Sequence, residues 1–125
     1  MTPGSGPPSL GLAWESRAAT YLQGHGIRII TQGYRCRLGE LDIVGSDGDT
    51  LVIVEVKARR SGTHGSALEA VGPQKQRRII RATRHFLMRN SAWFSQPIRF
   101  DVLAVDGIDT AEPKFTWVRN AFAAA

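Results

Sequence analysis

Apolar residues recur along this chain with two different periods, and the change of period marks its elements. In LAWESRAATYLQGHG, residues 12–26, the positions Trp14, Ala18, Tyr21 and Leu22 follow an i, i+4, i+7, i+8 pattern. That spacing predicts an amphipathic helix, which Gly24 and Gly26 end. A short β-branched run, residues 27–31, predicts a first strand, and YRCRLGELDIVG, residues 34–45, a second. SDGD, residues 46–49, reads as a tight turn in which Asp47-Gly48 favours type I′. TLVIVEVKA, residues 50–58, is apolar on both faces, which places a third strand in the middle of a sheet. After a glycine-rich loop, Pro73 suits the first turn of a second helix running to about Arg89, with Ile79, Thr83, Phe86 and Leu87 as its buried stripe. IRFDVLAVD is a fourth strand and FTWVRNAF a short fifth. The order α-β-β-β-α-β, an antiparallel hairpin followed by a helical crossover, predicts an α/β sandwich around a mixed sheet.

Length changes this picture little: 125 residues suit one domain with a modest core. Residues 11–125 are assigned to that domain, and MTPGSGPPSL, residues 1–10, reads as a disordered leader without the basic and apolar regions of a secretory signal. No apolar run is long enough to span a bilayer, so no membrane partner is expected and a cytoplasmic location is the default. The single cysteine, Cys36, excludes an internal disulfide framework and a thiolate zinc site.

Charge changes the picture more. Residues 59–90 hold eight basic residues against the one acid Glu69, a net +7 that leaves −2 for the rest of the chain. A basic segment beside an acidic one is the footprint of a polyanion-binding protein, while a solvated helix face accounts for the same residues without a ligand. Arg59 and Arg60 follow the third strand directly, where guanidinium groups suit the grip of a phosphate backbone. Arg77, Arg78, Arg81 and Arg84 extend that track along the second helix. Lys75, four residues before Ile79, lies on the helix's inward side, where it either reaches toward a phosphate near Glu55 or snorkels to solvent along its apolar stem.

The chemistry sits in GELDIVGSDGDTLVIVEVKARR, residues 39–60, where Glu40, Asp42, Glu55 and Lys57 interrupt strand-like apolar runs. Charge in such places is unfavourable unless it is paired or holds a metal. Residues two apart on a strand share a face, so the hairpin brings Asp42 toward Glu55 and Lys57, with a bulge or stagger absorbing an approximate match in register. Two carboxylates and a lysine suit a hard divalent cation, Mg²⁺ or Mn²⁺, with substrate phosphate completing its shell. Lys57 then orients or deprotonates the attacking water, or stabilises charge on the phosphorane. A cross-strand Glu–Lys or Asp–Lys pair is the purely structural alternative.

Asp42, twelve intervening residues and Glu55-Val56-Lys57 resemble the PD-(D/E)xK nuclease motif. RCRLGELDIV, LVIVEVKARR, AVGPQKQRRI and RFDVLAV together resemble the YraN-type family of restriction-endonuclease-like proteins, over about residues 11–122. The resemblance implies a fold similar to that of archaeal Holliday junction resolvases. It implies a metal-dependent endonuclease acting on double-stranded, branched or otherwise structured DNA, as a homodimer where two symmetric strands are cut. Asp42 and Glu55 would be metal ligands with the Val56 carbonyl as a third, Lys57 the catalytic lysine, and Glu15 the first-helix acid. Glu40 matches the acid of the family's Gly-Glu-hydrophobic-Asp block. Trp14 stands where a glycine often precedes the helix acid, and Gly33 where an asparagine is usual. A nucleic-acid-binding module that does not cut, or a partner in a DNA-processing assembly, is the alternative.

Several residues receive quieter readings. His64 touches DNA, helps with proton transfer, or is merely solvated. His85 reads as helix surface, Asp101 as a structural partner of Arg99, Trp93 and Phe94 as caps on the core, and Cys36 as strand packing.

Overall fold

A computed structural model describes residues 10–124, apart from 64 and 68. The expected leader therefore lies outside the described residues, except that Leu10 already belongs to a helix, and so does the reading of His64. The elements are α1 (Leu10–Gly24), β1 (Arg28–Cys36), β2 (Gly39–Asp47), β3 (Thr50–Arg59), α2 (Pro73–Arg89), β4 (Ile98–Asp106) and β5 (Lys114–Phe122), with a 3₁₀ turn at Ser91–Trp93. The five strands form one sheet in the order β1-β2-β3-β4-β5. Only β3 and β4 run parallel, joined by the α2 crossover, and the remaining pairs are antiparallel. This is the α/β arrangement around a mixed sheet that the order of elements predicts, and it agrees with the restriction-endonuclease-like fold that the resemblance implies.

Alternation along β3 divides the core between two layers. Val52 and Val54 face α1 and pack with Ala18, Ala19, Leu22, Ile43 and Leu103. Leu51 and Ile53 face α2 and pack with Val44, Ile79, Phe86, Val102 and Ala104. A strand covered on both faces must be apolar on both, which is why β3 reads as a continuous hydrophobic run.

Two local expectations are corrected. The first hairpin is longer than its sequence suggests: β1 runs on to Cys36 and turns through Arg37-Leu38, with Cys36 opposite Gly39. Neither turn residue has a positive φ. The segment therefore lacks the glycine or asparagine that marks a tight turn, and it reads as the start of one strand. At the second hairpin Asp47 pairs with Thr50, so the turn is Gly48-Asp49. Gly48 has φ +60° and Asp49 is not left-handed, the sign pattern of a type II′ turn rather than type I′.

The second turn also fixes the register. From Asp47↔Thr50 the pairs run without a bulge to Ile43↔Val54, which puts Asp42 opposite Glu55. There the ladder stops. β2 continues back to Gly39 and β3 forward to Arg59, but the two strands are no longer paired. The one irregularity in this hairpin pair lies in β1, between Ile29 and Thr31.

Candidate active site

The open end of the β2–β3 ladder is a cleft of about 340 Å³ lined by Glu15, Glu40, Asp42, Glu55, Val56, Lys57 and Lys75, among others. Its backbone explains its position. Where the ladder ends, the Val56 N–H has no β2 carbonyl opposite and donates instead to Asp42 Oδ2 at 2.8 Å. An extended residue turns its N–H and C=O to the same edge, so the Val56 carbonyl faces the same gap. Asp42 thus closes a backbone vacancy while presenting a carboxylate to the cleft.

Glu55 continues the α2-facing row of Leu51 and Ile53 and is 5% exposed. The Nζ atoms of Lys75 and Lys57 lie 3.4 and 3.7 Å from its Oε2. Burial nevertheless dominates: it raises the Glu55 carboxyl to about 8, helped by repulsion from Asp42 and by a hydrogen bond to it, against the pull of Lys75 and Lys57. Glu15 arrives from α1, on the other layer. Burial, then Asp42, then Glu40, raise it to about 7. Two carboxyls pushed up to neutrality or above in one cleft are an unfavourable electrostatic arrangement. Such groups cluster at functional sites.

Trp14 is buried and Glu15 still reaches the cleft, so the tryptophan does not turn the acid away. Gly33 lies between the pairs Gln32↔Ile43 and Tyr34↔Leu41, at the level of Asp42, with φ +64°. Asparagine is among the residues that tolerate this region best, which explains how either residue serves there.

Donor chemistry fits a hard divalent cation: carboxylates, a backbone carbonyl, and acids raised by burial and by one another, which a cation would relieve. Convergence is less complete. Among the described residues no group of three or more His, Cys, Asp or Glu side chains gathers closely enough to hold a metal ion. Asp42 and Glu55 are the close pair. Glu40, expected as an accessory, lines the cleft but pairs outward with Arg35 at 3.4 Å.

The basic residues divide. Arg59 is not an open grip: its Nε donates to Asp106 at 2.6 Å, its Nη1 to the Gly65 carbonyl at 2.8 Å, and its side chain is 14% exposed. Arg60 is exposed, as are Arg77, Arg78, Arg81 and Arg84 along α2. Lys75 falls inward as its spacing implies, onto Glu55 itself. Asp101, fully buried, accepts from Arg99, the Trp117 indole and the Asn120 N–H, a structural knot joining β4 to β5. His85 is half-buried and bonded to the Tyr34 hydroxyl rather than lying on the surface. Trp93 packs against the core, whereas Phe94 is 63% exposed and caps nothing. Arg35 and Arg37 lie outside the basic segment 59–90, and their two-residue spacing at a strand end is the signal of them available in the sequence.

A family model described as "Uncharacterised protein family UPF0102" matches residues 14–105. A UPF0102 protein of Pseudomonas fluorescens is 46% identical over 108 residues, 86% of this chain and 88% of the relative. One from Pseudomonas putida is 42% identical over 120 residues, 96% of this chain and 98% of the relative. Among solved structures, "crystal structure of a repair endonuclease from Pyrococcus abyssi" aligns with TM-score 0.47 and 18% identity over 84% of this chain. "Structure of EndoMS-dsDNA2 complex" aligns with TM-score 0.40 and 16% identity over 80%. The chain spans 41% and 38% of those two structures.

Proposed function

The chain belongs to the uncharacterised protein family UPF0102, the YraN-type family, and from that premise we propose that it is a metal-dependent DNA endonuclease that hydrolyses phosphodiester bonds. One observation carries the reading: Asp42 and Glu55 meet where the β2–β3 ladder ends, with Lys57 and Lys75 beside them in an open cleft. A sheet interior has no use for that many charges in packing.

Asp42, Glu55 and the Val56 carbonyl would hold Mg²⁺ or Mn²⁺, with Glu40 as an outer acid. When bound, the ion supplies polarisation of the scissile phosphate and a more acidic bound water. The chain's own groups do the rest. Lys57 donates from Nζ to a non-bridging phosphate oxygen as charge grows there. Glu15, raised to about 7, takes a proton from the attacking water at neutral pH. The exposed arginines of α2 hold the strand. Double-stranded or branched DNA is the substrate class, and a homodimer would suit a branched one.

The test incubates the purified protein and Mn²⁺ with labelled linear, single-stranded and four-way-junction DNA. Wild type is expected to cut at least one of them. Asp42→Ala and Lys57→Ala should each lose 100-fold or more, which asks about 3 kcal/mol of either group. A non-cleaving DNA-binding module is the second reading, favoured by the two lysines already seated on Glu55. Tight, salt-sensitive binding with no cleavage of any substrate would establish it in place of the first.

A further inference from the structure

Beside the acidic cleft lies a second cavity, of about 500 Å³, between the Arg37-Leu38 turn and the start of α2. Its wall carries Arg35, Arg37, Lys75 and Arg78 against the single acid Glu40, and Ile79 forms part of its lining. Glu40 and Lys75 also line the acidic cleft, so the two cavities adjoin. The turn is fixed against the helix: a Cβ on Gly39 would stand 3.2 Å from the Arg78 carbonyl oxygen.

The charge here is out of place for a structural element. α2 has no acid in its first turn and no side-chain cap, yet Lys75 stands in that turn and Arg77 and Arg78 follow in the next. Cations at a helix N-terminus are destabilising, and anions there are stabilising. Lys75 is relieved by Glu55 and Arg35 by Glu40, but neither Arg37 nor Arg78 forms an ion pair with a carboxylate among the described residues. An incoming polyanion would remove that repulsion.

We propose that this cavity is a phosphate subsite of a nucleic-acid strand, taking the phosphates next to the one in the acidic cleft through Arg37 and Arg78. The assignment rests on the nuclease reading and deepens it: the strand leaves the cleft past Glu40 and Lys75 toward the β1–β2 turn, not along Arg59.

The test measures DNA affinity from 50 to 300 mM salt without metal, for wild type, Arg37→Ala/Arg78→Ala and Lys114→Ala/Arg119→Ala. The last removes two charges from β5, the far edge of the sheet. Each lost phosphate contact reduces the steepness of the fall of log K with log salt by about 0.9 for duplex DNA. The turn–helix variant should lose about 1.8 in slope and at least tenfold in affinity at 100 mM salt, with unchanged circular dichroism. The β5 variant should keep the wild-type slope. Equal slopes in wild type and the turn–helix variant overturn the subsite and leave the nuclease reading standing. Equal losses in both variants reduce it to bulk charge. Displacement of DNA by inorganic phosphate, beyond chloride at matched ionic strength, would reassign the cavity to a free anion. Arginine-dependent binding without Mn²⁺ cleavage would sink the nuclease reading and keep the subsite. A wild type that binds no DNA overturns both.

Discussion

Glu55 sets the electrostatics of the cleft. Its carboxyl is raised to about 8 although two ammonium groups lie within 4 Å, because burial and Asp42 outweigh them. A carboxyl with a raised folded pKa binds protons in the native state that the unfolded chain releases. Its stabilising contribution is therefore complete below the ordinary carboxylate range and is lost as pH rises through about 8. Melting temperatures in EDTA should fall between pH 5 and 8.5, and Glu55→Gln should flatten that decline. An equal slope in the variant would show that Glu55 is not its source. The same protons oppose a cation. With Glu15 at about 7 and Glu55 at about 8, Mn²⁺ binding should release protons and tighten as pH rises from 6 to 8.5. Calorimetry in two buffers of different ionisation enthalpy reads this directly, and a pH-independent affinity would contradict it.

At the scale of elements, the site follows from where one ladder ends. Asp42 faces Glu55 because the two-residue turn Gly48-Asp49 sets an unbroken register, and the cleft opens because pairing stops at Ile43↔Val54. Asp42, Glu55, Lys57 and their shared hairpin were legible from alternation together with the Asp-Gly turn signal. The stagger expected between them was not needed, since the turn begins one residue later than Asp47-Gly48 suggests. The close approach of the Ile27–Arg28 segment to β2 depends on Gly45, whose added Cβ would stand 2.7 Å from Ile27 Cγ2 and 2.9 Å from the Arg28 carbonyl oxygen. Gly45→Ala should destabilise the fold by about 1–3 kcal/mol, read as a lower urea midpoint at unchanged m-value. A neutral result would mean that β1 and β2 separate there without penalty.

Across the whole molecule, the site joins both layers: Glu15 comes from α1, Lys75 from α2, and the remaining groups from the sheet between. A ligand bound there clamps three layers at once and stabilises the native state by mass action. Mn²⁺ at 100 times its dissociation constant should add about 2.7 kcal/mol, a rise of several degrees in Tm. Asp42→Ala should abolish that rise. An identical rise in wild type and variant would place the cation elsewhere. Among the described residues no helix is long and apolar enough to cross a membrane.

The sequence by itself determined the element order, the central position of β3, the buried stripe of α2 and the identity of the charged quartet. Each of these is written in local periodicity, in which a strand or helix repeats its surroundings every two or 3.6 residues. Tertiary structure alone decided which charges are free. Arg59 looks like its neighbour Arg60 until Asp106 and the Gly65 carbonyl fold onto it, and Lys75, turned inward by its spacing, is tied to Glu55 only in the folded chain. Arg37 and Arg78 stand far apart in the chain and line one cavity only because the first hairpin packs on α2. Ion pairing and burial are contacts between distant segments, and no local pattern encodes them.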